Sequence, residues 1–124
     1  MPRPTHFEFM VDDPERAARF FGELFGWRVE KWSGPMDYWM VDTGAEGTPG
    51  IHGGIGRNEQ PGAPPQTINV IDVPSVDEYV AKVEAAGGSI VLPKMAVPGV
   101  GWLAYGADPA GLVFGMMQED PLAA

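Results

Sequence analysis

The feature that most constrains this chain is that its pattern is written twice. Ala17, Phe20, Phe21 and Leu24 recur at i, i+3, i+4 and i+7, the apolar stripe of a helix. Val76, Tyr79, Val80 and Val83 repeat that stripe at a constant offset of 59 residues. Both stretches carry start and stop signals. Asp13 supplies an N-cap carboxylate and Pro14 a first helical residue whose missing N–H costs nothing, while Gly26 is placed to end the helix. Ser75 with Glu78 forms a capping box, and Gly87-Gly88 closes the second stretch. Helices over residues 14–25 and 75–86 follow.

The flanking segments also repeat. Residues 6–11 alternate, with Phe7, Phe9 and Val11 on one face and His6, Glu8 and Met10 on the other, as in a half-buried strand. Residues 28–31, 36–43 and 51–56 read as three further strands, separated by Ser33-Gly34-Pro35 and a glycine-rich loop at 44–50. After a polar, proline-rich connection at 57–65 come a strand at 67–73, the second helix and a strand at 89–92. A loop through Pro93 and Pro98 leads to a closing hairpin. Its arms are residues 100–105 and 112–117, and its turn is built from Gly106, Asp108-Pro109 and Gly111. The expected fold is α+β: two βαβββ modules, at about residues 4–57 and 65–119, within one domain spanning 1–124. A division at the proline-rich stretch would leave two flanks too small to hold separate cores comfortably. The four-strand unit also argues against a ferredoxin-like domain, whose unit is βαβ.

The 8 Lys and Arg against 17 Asp and Glu give a net charge of −9, which repels nucleic-acid phosphates and anionic lipid. No nucleic acid or membrane is expected as a partner. Cysteine is absent, so there is neither a disulfide framework nor a thiolate nucleophile. The N-terminus lacks the apolar run of a signal peptide, and a cytoplasmic location is expected. No nucleophile–base pair, P-loop or dinucleotide fingerprint is present; Gly53-Gly54-x-Gly56 has no helix after it to receive a phosphate.

The closing run GVGWLAY…D-P-x-G…F-G-M-M-Q and the doubled βαβββ order resemble the vicinal oxygen chelate superfamily. That superfamily includes glyoxalase I, bleomycin-resistance proteins and extradiol dioxygenases. The resemblance covers nearly the whole chain and implies curled sheets around a cleft, with helices outside. It implies a metal-ligand role for His6, which matches the first histidine ligand of the family's metal enzymes in the setting H-x-x-x-x-V-x-D. His52 lies on the fourth strand, where a second ligand is expected. The third position falls among Gln66, Thr67, Ile68 and Asn69, none a strong transition-metal ligand. The fourth, the glutamate of D-P-x-G-x-x-x-E, is Gly115 here.

Each candidate also has a plain reading. His6 can fill a polar edge, His52 can face outward, and about half of the large aromatic rings can be core. Against these stands a site with His6 and Glu8 as catalytic groups and Trp39, His52, Thr67, Asn69, Trp102 and Tyr105 as ligand-binding residues. The expected function is binding of a small organic molecule in a cleft without a complete catalytic metal site. That covers sequestration, or metal-free lyase or isomerase chemistry with His6 or Glu8 as general base. The alternative is a divalent-metal-dependent lyase, isomerase or dioxygenase using His6 and His52 with a non-standard third ligand. No cofactor is expected under the first reading, and a homodimer is expected under both.

Overall fold

A computed structural model describes residues 1–124. Eight strands and two helices follow in the order βαβββ, twice: β1 Arg3–Val11, α1 Pro14–Phe25, β2 Arg28–Lys31, β3 Tyr38–Asp42 and β4 His52–Arg57, then β5 Gln66–Asp72, α2 Val76–Ala85, β6 Ser89–Val97, β7 Gly101–Ala107 and β8 Val113–Glu119. The architecture is α+β, with the doubled βαβββ order expected from the sequence. The chain forms two compact units, one of His6–Ile68 and one of Met1–Thr5 with Asn69–Ala124. No helix is long and apolar enough to cross a membrane.

In the first unit, β1 pairs in parallel with β4, β4 antiparallel with β3, and β3 antiparallel with β2. Helix α1 starts where Asp13 accepts the Arg16 N–H at 3.1 Å and stops at Gly26, whose φ is 72°. Its buried stripe differs from expectation. Pro14, Ala17, Ala18 and Phe21 face the sheet, whereas Phe20 and Leu24 are each 57% exposed. The i, i+3, i+4, i+7 template holds but begins one turn earlier, because Phe21 stacks on Phe9 (5.0 Å) and Trp27 (5.7 Å). Ile55, fully buried at the centre of this cluster, contributes on the order of 1.5–3 kcal/mol.

The second unit repeats the pairing: β5 parallel with β8, β8 antiparallel with β7, β7 antiparallel with β6. Helix α2 buries its expected stripe, with Val76, Tyr79, Val80 and Val83 packed around Val73, Ala104 and Met116. Ser75 accepts the Glu78 N–H at 3.2 Å. Two details depart from expectation. Strand β6 runs through Pro93 to Val97, and register shifts beside Leu92 let an edge strand carry a proline. Gly106 lies inside β7 rather than in the turn, where a Cβ would come within 2.9 Å of the Phe114 ring. The turn belongs to Asp108, whose carboxylate accepts the N–H groups of Ala110 (3.0 Å) and Leu112 (2.7 Å).

The β7–β8 contact is close at Gly101, where a Cβ would lie 2.2 Å from the Gln118 carbonyl oxygen. Backbone cannot yield as a side chain can. Gly101→Ala is expected to destabilise the fold by about 1–3 kcal/mol in chemical denaturation, the usual range for overpacking. An unchanged midpoint would contradict this register.

Candidate functional site

Strand alternation fixes which side chains share a face. Phe7 and Phe9 turn toward α1, so His6 and Glu8 turn away from it. The β1–β4 register places His6 beside His52 and Glu8 beside Gly54. The β3–β4 register adds Tyr38 and Met40 to the same face, opposite Gly56 and Gly54. His6, Glu8 and His52 therefore share one surface of the first unit.

Tyr38 ties that surface together. Its hydroxyl donates to Glu8 Oε2 at 3.0 Å and lies 3.1 Å from His6 Nε2. A phenol has one proton, and here it is directed at Glu8. The His6 contact therefore requires Nε2–H to donate to the Tyr38 oxygen. Glu8 is 6% exposed, so its carboxylate depends on such donors. Burial, and then the Glu8 charge, push the Tyr38 hydroxyl far above the ordinary phenol range, so it keeps its proton. Burial, and then the His52 charge, hold His6 below the usual imidazole range.

Glycines make the arrangement possible. A Cβ at Gly54 would lie 1.7 Å from the Tyr38 hydroxyl, and one at Gly56 would lie 3.2 Å from Met10 and 3.5 Å from the Tyr38 ring. On the opposite face, a Cβ at Gly53 would meet the Phe7 ring at 2.3 Å. The glycine run of β4 is a floor for one ring on each side.

His52 is held differently. Its Nδ1 accepts the Thr43 N–H at 3.1 Å, with the Asp42 carboxylate 3.4 Å away, and its side chain is 55% exposed. It borders a cavity of about 210 Å³ formed with loop residues 43–50.

Each of the other expected site residues takes its place within its own unit. Trp39 packs on the α1 side with Val41 and Ile55, and its indole N–H is buried without a partner. Trp102 packs against the α2 cluster and donates to Asp120 at 3.0 Å. Trp39 is thus one residue out of phase with the His6 face of the first unit, and Trp102 is on the α2 side of the second. Thr67 and Asn69 alternate onto the face of Ile71, which packs on the α2 cluster. Tyr105 is opposite Gly115 on the other face of the second unit's sheet. Sequence reasoning missed Tyr38 as a site residue. The available signal was the alternate spacing of Gly54 and Gly56, which implies a ring lying across them.

Comparison with known proteins follows this geometry. The family described as Bleomycin resistance protein-like N-terminal matches residues 3–44. A putative glyoxylase, CFP32, of Mycobacterium tuberculosis is 27% identical over 120 residues, covering 94% of this chain and 46% of that protein. The anthracycline biosynthesis protein DnrV of Streptomyces peucetius is 29% identical over 129 residues, with the same coverage of 94% and 46%. The chain thus spans about half the length of the curated relatives it matches. Among solved structures, methylmalonyl-CoA epimerase from Mycobacterium tuberculosis superposes with a TM-score of 0.71 at 10% identity, covering 94% of this chain and 87% of that one. The Mn(II)-bound glyoxalase from Novosphingobium aromaticivorans gives 0.64 at 21%, covering 100% and 42%. Together these likenesses show that the chain is similar to proteins of the vicinal oxygen chelate superfamily in sequence and in fold.

Fold relatives include a manganese-bound enzyme, so the donor set here was tested for a metal. No three His, Cys, Asp or Glu side chains are grouped to hold one. His6 Nε2 is engaged by the Tyr38 hydroxyl at 3.1 Å, and His52 Nδ1 by the Thr43 N–H. At Gly115, a Cβ would already lie 3.1 Å from Val70 and 3.3 Å from Tyr105. These residues do not fit a tight divalent site, which takes at least three converging protein ligands.

The depressed His6 titration predicts a pH effect. The unfolded chain takes up the His6 proton first, at its ordinary value of 6.5, and the folded chain only at lower pH. This contribution to stability is whole above that value and is lost as pH falls through the folded one. Melting temperature should therefore fall more steeply between pH 7.5 and 5 in the wild type than in His6→Gln. Parallel curves would contradict the burial of a neutral His6.

Proposed function

We infer that this protein binds a small organic molecule on the His6–Glu8–Tyr38 face and does so without a divalent metal. The observation that carries this reading is the donor arrangement: His6 Nε2 is committed to Tyr38. That leaves the surface an imidazole and a buried carboxylate, both tied to Tyr38. Such a pair suits hydrogen bonding to a ligand, or proton transfer with His6 or Glu8 as base. The acidic balance of the chain favours a neutral or cationic ligand. The likeness to an anthracycline biosynthesis protein and to a bleomycin-resistance family supports natural-product-like ligands as first probes.

The test is calorimetric titration with an anthracycline and with bleomycin, each in EDTA and in excess Mn(II). Binding of either should be unchanged within about twofold between the two conditions, and Glu8→Gln should weaken it by about tenfold, the loss of one charge-assisted hydrogen bond. Binding of either that appears only with Mn(II) would restore the metal-dependent reading, with His6 and His52 as ligands. Failure of both to bind would remove the support drawn from these relatives.

The same reading includes a homodimer. Phe20, Leu24 and Phe25 are each 57% exposed along α1, more apolar surface than one helix ordinarily leaves to water. Sedimentation at micromolar concentration should show a dimer that Phe20→Glu weakens; a monomeric wild type would contradict this part.

A further inference from the structure

We propose that Tyr38 is a positioning residue that fixes His6 in one tautomer and leaves His6 Nδ1 as the hydrogen-bond acceptor this face offers to a ligand. The proposal rests on the metal-free reading of the same surface and adds the ligand chemistry: a hydroxyl or N–H donor must meet His6.

The argument is one of proton counting. Buried Glu8 accepts the Tyr38 hydroxyl proton at 3.0 Å. The Tyr38 oxygen can then only accept from His6 Nε2, 3.1 Å away. A neutral imidazole with its proton on Nε2 has its lone pair on Nδ1, the ring atom left to accept from a ligand. The phenol oxygen therefore carries the influence of the Glu8 charge to the imidazole without direct contact between them. A third group orienting a base in this way is a general device of active sites.

The geometry is enforced rather than incidental. Gly54 leaves space for the hydroxyl, and the Trp32 ring meets the Tyr38 ring edge-on at a centroid distance of 6.3 Å. Tyr38 is held by packing on one side and by backbone on the other. Should a ligand surrender its proton to Nδ1, the imidazolium formed would keep its Nε2–H directed at an oxygen polarised by Glu8. A ligand whose donor is capped as a methyl ether would lose this contact.

The test uses the chain labelled with ¹⁵N-histidine, at pH 7.5 in EDTA and without ligand. Long-range ¹H–¹⁵N correlation should show wild-type His6 as a single Nε2–H tautomer, with that proton protected from exchange. In Tyr38→Phe the protected signal should be lost while the β-sheet circular dichroism is retained. Wild-type His6 protonated on Nδ1 would overturn the proposal whether or not the variant folds. Survival of the protected Nε2–H signal in a folded Tyr38→Phe would overturn it as well. The two failures are distinguishable: a manganese requirement in the titrations sinks the function proposed above, whereas a wrong tautomer is read without metal or ligand and sinks this inference even where binding proves metal-independent.

Discussion

A buried carboxylate sets the terms for the first module. Glu8 lies within a strand and is almost fully shielded from water, where an unpaired charge would cost several kcal/mol. The hydroxyl of Tyr38, two strands away in pairing order with β4 between them, donates to it. For the phenol to reach across β4, that strand must carry no side chain beneath it. Gly54 and Gly56 follow from that requirement. So does the β3–β4 register, since a slip of one residue would turn Tyr38 to the α1 side and Trp39 to the open one.

The second module uses a related device. Tyr105 on β7 is opposite Gly115 on β8, as Tyr38 on β3 is opposite Gly56 on β4. Gly56 and Gly115 are separated by 59 residues, the same offset that relates the two helical stripes. Gly115 is thus more than an empty ligand position. It has a packing role in its own module, since a side chain there would require Val70 and Tyr105 to give way by a few tenths of an ångström. The duplicated architecture that elsewhere includes a manganese-bound glyoxalase here places aromatic rings over glycine.

Much of the fold was legible because it rests on short-range rules. The caps at Asp13 and Ser75, the glycine at 26 and the alternation of residues 6–11 each act within a few residues, and each is realised in the structure. Less legible were the features set by pairing. Strand β6 continues through Pro93 because it is an edge, a property invisible along the chain. The α1 stripe begins a turn early because Phe9 and Trp27 decide where Phe21 sits. In the site, His6 and Glu8 could be placed on one face from alternation alone. The helix side on which Trp39 and Trp102 pack could not be read, since ring size says nothing about which face of a sheet a ring occupies. Tyr38 was hidden in the same way, one residue from the tryptophan that drew attention instead.

The account turns on whether His6 Nε2 belongs to Tyr38 or to a metal. Anomalous diffraction from crystals grown in millimolar Mn(II) addresses that directly, because manganese is located independently of the protein atoms. The prediction is no anomalous peak within about 2.5 Å of His6, with the Tyr38–His6 hydrogen bond intact, since a closed tautomer offers no lone pair at Nε2. A full-occupancy manganese bound to His6 Nε2, with Tyr38 displaced and His52 or Glu8 completing the site, would contradict the account at its centre.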